Sequence, residues 1–284
     1  MSIIIDGKLV STEIKNQIAQ EVEEIKARDG FAPKLVVIYV GEDKASAIYV
    51  SNKQKTCAKL GIESELVRMP EETSEEELIK CIDDLAADKT VTGILVQLPL
   101  PKGLDEKKII AHIPWYKDVD GLTEHNVVRN FQNDEGIFPC TPLGVIDLLK
   151  YYGIKIEGKR VAVIGRSILV GKPLALLLTN LNATVTLCHS RTQKLDEITR
   201  ESDIVVVAIG KARFLTQNMV NENATIIDVG INRLDDGKVV GDCDFDNLVD
   251  KVAYISKVPG GCGPMTIAEL MRNTIKCYNI QHKE

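Results

Sequence analysis

From Lys34 onward the chain alternates short apolar runs with longer amphipathic ones. Lys34-Leu-Val-Val-Ile-Tyr-Val40 is β-branched and apolar at almost every position, which predicts a strand buried on both faces. Ala45 to Leu60 reads as a helix, and Gly61 supplies the residue that most readily closes a helix C-terminus. Ile62 to Met69 alternates as a strand. Ser74 to Ala87 opens on a Ser-x-x-Glu capping box and continues as a helix. Thr92 to Leu98 is the next apolar strand, ended by Pro99 and Pro101. Strands separated by helices of this length predict βαβ units and a mainly parallel sheet.

Between Pro99 and Pro142 the alternation stops, and prolines 99, 101, 114, 139 and 142 punctuate a stretch that reads as loop. A long irregular segment inside a folded chain marks a functional loop or a domain junction. Leu143 to Tyr152 is an amphipathic helix, and strand–helix alternation resumes at Arg160. The later strands are expected at Val161–Gly165, Thr184–Cys188, Ile204–Gly210, Thr225–Gly230 and Val252–Ser256, with a last helix from Met265 to Tyr278. Domain junctions fall near Pro139 and Pro264.

Length and composition narrow the function classes. A chain of 284 residues suits two domains, and 44% hydrophobic with 27% charged residues is the balance of a globular protein with real cores. A formal charge of −6 argues against holding nucleic acid or an anionic membrane by bulk electrostatics, and 5% aromatic residues leave little to stack bases on. No run approaches the ~20 apolar residues of a membrane-spanning helix, and the start, Met1-Ser-Ile-Ile-Ile-Asp-Gly-Lys8, has no signal-peptide pattern. The seven cysteines are scattered with no CxxC pair and the four histidines have no ligand spacing, so neither a disulfide framework nor a metal site is expected. Scattered thiols suit a reducing compartment such as the cytoplasm.

The second half carries a nucleotide signal. Lys159-Arg-Val-Ala-Val-Ile164 runs into Gly165-Arg-Ser-Ile-Leu-Val-Gly171-Lys-Pro173 and then the helical stretch Leu174–Asn180. Strand, glycine-bearing turn and helix are the setting of a dinucleotide-binding loop, with Gly165 for the tight turn and Gly171 for close approach. Ser167 stands where a second glycine is usual, and Pro173 suits the first turn of a helix whose N-terminus faces phosphate. The same turn also occurs as plain structure in α/β domains. An NAD site normally carries a carboxylate at the end of the second strand. Here that end reads Cys188-His-Ser190-Arg-Thr192, hydroxyls and a cation, with Arg166 in the first loop. That composition favours the 2′-phosphate of NADP.

The first half has no nucleophile triad, metal signature or P-loop. Tyr49 and Lys53 stand four apart on a helix that follows a strand, near the sheet edge where open α/β folds bind ligands. Lys53 also has Lys44, Lys55 and Lys59 around it in sequence, the composition of a solvated face. Gln97 ends an apolar run, where a buried amide needs partners and the backbone near Pro99 is one choice. Asp120 either closes the Asp118-Val-Asp120-Gly121 turn or presents a carboxylate. Val258-Pro-Gly-Gly-Cys-Gly-Pro264 is a turn or a flexible rim.

Taken in order, these segments resemble one family. Tyr49-x-x-x-Lys53, Gly93-Ile-Leu-Val-Gln97-Leu-Pro-Leu-Pro101, Lys117-Asp-Val-Asp120-Gly-Leu122 and Pro139-Cys-Thr-Pro142 fall in the first half. Gly165-Arg-Ser-x-x-Val-Gly-Lys-Pro173, Cys188-His-Ser190 and Val258-Pro-Gly-Gly-Cys-Gly-Pro-Met-Thr266 follow. Together they are similar to the bifunctional methylenetetrahydrofolate dehydrogenase/methenyltetrahydrofolate cyclohydrolases over essentially the whole chain, with departures at Lys257 and Cys262.

The resemblance implies an α/β protein with an N-terminal α/β catalytic domain, residues 1–139, and a C-terminal Rossmann-type NADP-binding domain, residues 140–264, with a cleft between them. Residues 265–284 would pack back on the first. It implies NADP-dependent oxidation of 5,10-methylenetetrahydrofolate to the 5,10-methenyl cation, then hydrolysis to 10-formyltetrahydrofolate, in one-carbon metabolism and purine biosynthesis. Lys53 would be the key catalytic side chain, Tyr49 would pack on the folate, Gln97 would tune Lys53 and Asp120 would anchor the pterin. Leu98 and Pro259, Gly260 and Gly261 would border the folate. Gly165, Arg166, Ser167, Gly171, Ser190 and Ile231 would hold NADP, with Arg166 and Ser190 on its 2′-phosphate. A cytoplasmic homodimer without metal is implied, with tetrahydrofolate derivatives as substrates and no nucleic acid or membrane partner. Two other readings remain for the residues themselves: an NADP dehydrogenase of another small acid, shikimate-like, and a non-catalytic NADP sensor. Neither requires Lys53, Gln97 and Asp120 together.

Overall fold

The structure, a computed structural model, describes residues 2–282. It opens with strand β1 (Ile3–Ile5) and helix α1 (Gly7–Asp29), both ahead of the first apolar run. A reading by apolar runs passes over α1, because its buried residues Val10, Ile14, Ile18, Val22 and Ile25 stand singly, about one turn apart. The chain divides into two compact units. One comprises Glu13–Phe138 and Leu270–Glu284, the other Met1–Thr12 and Pro139–Glu269.

The first unit is built on a parallel sheet of order β3-β2-β4: β2 (Lys34–Val40), β3 (Glu63–Met69) and β4 (Gly93–Val96). Helix α2 (Lys44–Leu60) connects β2 to β3. Asp43 accepts from Ser46 N at 2.7 Å at its start, and Gly61, at φ 75°, closes its end. Helix α3 (Glu75–Ala87) carries the expected capping box between Ser74 and Glu77. It drives Leu78 and Ile82 into a core with Val36, Ile38, Ile94 and Val96. The chain runs from β2 out to β3 and then crosses back over β2 to β4, so β2 and β4 are neighbours. The loops leaving β2 and β4 therefore meet at the carboxyl edge, where such sheets place ligands.

The stretch from Pro99 to Pro142 is less irregular than its proline content predicts. It holds α4 (Glu106–Ile110), a 3₁₀ turn (Trp115–Lys117) and α5 (Glu124–Gln132). Helix α5 escapes hydropathy because it buries Asn126 and Asn130 while leaving Val127, Val128 and Phe131 exposed. An apolar pattern cannot reveal a helix whose inward face is polar.

In the second unit, α6 (Cys140–Tyr151) begins three residues before its expected start, since Pro142 falls in the first turn, where no N–H is needed. The sheet contains β5 (Arg160–Ile164), β6 (Thr184–Cys188), β7 (Ile204–Val207), β8 (Thr225–Asp228) and β11 (Tyr254–Ser256). Its order is β1-β11-β8-β7-β5-β6, parallel throughout. Helices α7 (Gly171–Asn180), α8 (Leu195–Arg200) and α9 (Phe245–Leu248) and a small antiparallel pair, β9 (Asn232–Arg233) with β10 (Val239–Val240), complete it. The strands end earlier than their apolar runs because the chain turns off the ladder, at Gly165 with φ 124° and Gly210 with φ 64°.

One boundary differs from the sequence expectation. The first dozen residues belong with the second unit, because Ile3, Ile4 and Ile5 pair in parallel with Tyr254, Ile255 and Ser256 of β11. Such pairing is non-local and has no sequence signature. The last helix, α10 (Cys262–Gln281), is longer than expected at both ends, and from Leu270 onward it is counted with the first unit. There Asn273 Nδ2 donates to Val119 O and Phe138 O at 2.9 and 2.8 Å, and Gln281 Nε2 donates to Thr92 O at 2.8 Å.

Candidate active site

Lys53 and Gln97 come from α2 and from the residue just after β4, the two segments that leave the carboxyl edge of the small sheet. Lys53 Nζ donates to Gln97 Oε1 at 2.9 Å, and both side chains are half-buried. The glutamine is fixed on two sides. Its backbone N–H donates to Ile38 O at 2.9 Å, and Nε2 donates to Leu98 O at 2.6 Å. With the amide nitrogen held on a carbonyl, only the oxygen remains to face the lysine. An amide acceptor orients an amine without bringing the negative charge that would hold it protonated. Tyr49 stands one helical turn before Lys53 and is 42% exposed, an open aromatic face beside the amine's helix.

Asp120 lies on a loop attached to β4 through the isolated Ile94–Asp118 bridge. With Asp118, Leu122, Ile94 and Val96 it lines a small cavity. Two readings were open for this aspartate, and its neighbour takes up much of the turn chemistry. Asp118, almost fully buried, accepts from Thr123 N at 2.8 Å and from Asn126 Nδ2 at 3.0 Å. Gly121 is obligatory in the same loop: at φ 65°, an added Cβ would lie 2.6 Å from Ile137 O. Asp120 itself is half-buried.

In the second unit the loop between β5 and α7 has the close packing its glycines suggest. A Cβ on Gly171 would lie 1.9 Å from Gly165 O, and one on Gly165 would lie 2.2 Å from Ala208 O. Ser167 substitutes for a glycine by capping the helix: Oγ accepts from Val170 N at 3.1 Å and Gly171 N at 3.4 Å. The positive end of a ten-residue helix thus faces out beside exposed Arg166 and Ser167, a ready anion site. Ser190 joins this corner through the register. Ile164 pairs with Cys188, and Gly165 N donates to Cys188 O at 2.9 Å, so Arg166 and Ser190 each follow the paired residues by two. The Ser190 turn is closed by His189 N on Thr192 Oγ1 at 2.8 Å and carries no carboxylate. Ile231, 49% exposed, follows β8 on the same sheet edge.

Pro259, Gly260 and Gly261 belong to this second unit too, packed on the start of α1. Gly260 O accepts from Lys8 N at 3.0 Å, and a Cβ on Gly7 would lie 1.9 Å from Gly261 O. Lys257 has a local partner in Asp6 at 2.6 Å. That bond holds the Asp6 carboxyl below the usual carboxylate range. Sequence reasoning did not single out Asp228 and Asp242, two buried carboxylates at the ends of strands. The signal for Asp228 was present: a charge ends the apolar run Thr225-Ile-Ile-Asp228. Among the described residues, no group of three or more His, Cys, Asp or Glu side chains is placed to hold a metal ion, and no helix is long and apolar enough to cross a membrane.

Comparison with known proteins covers both halves of the chain. The family model for the catalytic domain of tetrahydrofolate dehydrogenase/cyclohydrolase matches residues 5–120. The model for the NAD(P)-binding domain of the same family matches residues 139–282. The bifunctional protein FolD of Ligilactobacillus salivarius is 49% identical over 276 residues, spanning 97% of this chain and 96% of its own. The crystal structure of the bifunctional FolD enzyme, methylenetetrahydrofolate dehydrogenase/cyclohydrolase, from Campylobacter jejuni has a TM-score of 0.97 at 43% identity, covering 99% of this chain and all of that one. The Trypanosoma brucei dehydrogenase-cyclohydrolase, solved with NADP cofactor and an inhibitor, has a TM-score of 0.95 at 35% identity, covering 100% of this chain and 99% of that one. The chain belongs to the tetrahydrofolate dehydrogenase/cyclohydrolase family.

Proposed function

We propose that this protein oxidises 5,10-methylenetetrahydrofolate with NADP and hydrolyses the resulting 5,10-methenyl cation to 10-formyltetrahydrofolate. The observation that carries the reading is the bond from Lys53 Nζ to a Gln97 oxygen that has no other orientation open to it. The cofactor fits the second unit: Gly165 and Gly171 leave no room for side chains, the capped α7 N-terminus suits a pyrophosphate, and Arg166 and Ser190 suit a 2′-phosphate. When bound, NADP supplies the hydride acceptor.

The remaining chemistry belongs to this chain. Asp120 accepts hydrogen bonds from the ring N–H and amino group of the pterin, Tyr49 packs on its face, and Leu98 borders it. A cation on the bridging carbon disfavours a second positive charge beside it, which suits a side chain that has to accept a proton there. Gln97 keeps one amine hydrogen engaged and the lone pair directed away from itself. Water adds to the bridging carbon while Lys53 takes one of its protons; return of that proton to N5 as the C–N5 bond breaks, with the remaining hydroxyl proton released to solvent, leaves the formyl group on N10. The alternatives, a dehydrogenase of another small acid or a nucleotide sensor, do not account for Lys53 and Gln97 in contact.

This activity places the protein in one-carbon metabolism, supplying formyl groups for purine biosynthesis. We assign it to the cytoplasm, where seven scattered thiols stay reduced, and infer a homodimer. Two absorbance assays on the purified chain test the catalytic reading. Reduced nicotinamide is expected from methylenetetrahydrofolate and NADP, and loss of methenyl absorbance is expected without any nucleotide. Hydride transfer with no methenyl hydrolysis above the spontaneous rate overturns the two-step reading.

A further inference from the structure

At the carboxyl ends of β7 and β8 two aspartates are buried together, and the mechanism uses neither. Asp242, with no exposed surface, accepts from three consecutive backbone N–H groups. Oδ2 takes Ile209 N at 2.7 Å and Gly210 N at 2.9 Å, and Oδ1 takes Lys211 N at 2.8 Å. Oδ1 also accepts from Asn232 Nδ2 at 2.9 Å. One carboxylate therefore ties the loop after β7 to the loop after β8. Asp228 holds that carboxylate's own backbone: Oδ1 accepts from Asp242 N at 2.9 Å and Gly230 N at 2.9 Å, and Oδ2 accepts from Cys243 N at 2.8 Å. Two glycines make room for the pair. A Cβ on Gly230 would lie 2.2 Å from Asp242 Oδ1, and one on Gly241 would lie 1.9 Å from Asp228 Oδ2.

What Asp242 fixes lies next to the nucleotide loop. Ala208, whose carbonyl Gly165 packs against, directly precedes the three N–H groups that Asp242 holds. Ile209 and Ile231, the residues adjoining its partners Gly210 and Asn232, are both exposed on that edge. A buried carboxylate serving four donors is an expensive arrangement that a simple turn does not need, since removing it would strand every one of them. We propose that Asp242 is a positioning residue for the nucleotide, holding the loops after β7 and β8 as a rigid wall for the Gly165 turn. This rests on the reading that Gly165–Gly171, Ser190 and Ile231 hold NADP.

The test is titration of the full-length Asp242→Asn protein with NADP and with NAD. An amide offers one acceptor oxygen and aims an NH₂ at N–H donors, so affinity for both nucleotides is expected to fall together, tenfold or more. Methenyl hydrolysis without nucleotide is expected to stay within twofold of the parent rate. Asn232→Ala removes a single donor and should weaken both nucleotides three- to tenfold; if Asp242→Asn does not fold, this variant decides. Leu248→Ala, in the core of the same unit, controls for lost stability and should leave nucleotide affinity unchanged below its melting temperature. Unchanged affinity in Asp242→Asn or, failing that, in Asn232→Ala overturns the proposal, as does an equal loss in Leu248→Ala. Arg166→Ala separates the two levels: if it leaves NADP binding intact, the nucleotide site itself is misassigned, whereas weakened binding there with normal Asp242→Asn overturns only the positioning role.

Discussion

Lys53 is one lysine among several on its helix, and its bond to Gln97 sets it apart. Hydration of the methenyl carbon needs a group that can take a proton, whereas hydride transfer needs alignment alone. Lys53→Met should therefore abolish cyclohydrolase activity and leave measurable dehydrogenase activity, and Lys53→Arg should not restore the former, because a guanidinium stays protonated. Methenyl hydrolysis at the parent rate in Lys53→Met would remove the residue from the mechanism. A second residue-scale contrast lies at the β6 corner, where Arg166 and Ser190 follow paired positions. If they meet only the extra phosphate, Arg166→Ala and Ser190→Ala should weaken NADP far more than NAD, the arginine by about 1.5–3 kcal/mol as a charge-assisted contact. Equal losses for both nucleotides by isothermal titration would refute that assignment. The amine was visible in the sequence as a helix position. That Gln97 is its partner came from the family resemblance and not from spacing, because two strands and a helix separate them.

At the scale of elements, the local signals that held were those with a local cause. Gly61 ends α2 in the left-handed region, and Ser74 with Glu77 opens α3, since each acts within a few residues of itself. The β5–α7 turn has the same character, with its constraint now measurable. A methyl group on Gly171 would meet backbone rather than a movable side chain, 1.9 Å from Gly165 O. Gly171→Ala should therefore force the turn open, destabilise the protein by about 1–3 kcal/mol as overpacking does, and weaken NADP and NAD alike. Nucleotide titration and a melting curve check both parts, and parent-like binding would show that the close approach is not required. The elements that escaped reading failed for opposite reasons. The buried residues of α1 recur once per turn, a helical period that a search for apolar runs passes over, and α5 turns asparagines inward and valines outward.

For the whole molecule, the buried pair of aspartates has a consequence for stability against pH. Burial, with Asp242 nearby, pushes the Asp228 carboxyl up to about 6 from 3.8, despite three N–H groups that favour its charged form. The folded chain then binds more protons than the unfolded one between those values, so this side chain's contribution is fullest below about pH 4 and is lost as pH rises through 6. The melting-temperature gap between the parent and Asp228→Asn should be widest near pH 4 and shrink to a constant by about pH 7; a gap independent of pH would contradict the shift. The sequence by itself determined the βαβ alternation, the glycine turn after β5, the lack of an acidic residue between β6 and Asp196, and the separate motifs that mark the family, because each of these depends on residues near one another in the chain. Only the tertiary structure decided that β1 joins the sheet of the second unit, that Asp118 takes the turn bonds beside Asp120, that the Gln97 amide nitrogen is held on Leu98 O, and that Asp242 ties two loops together. Strand neighbours and the partners of buried polar groups are chosen by which segments the folded chain brings within hydrogen-bonding distance, and separation along the sequence carries no record of that choice.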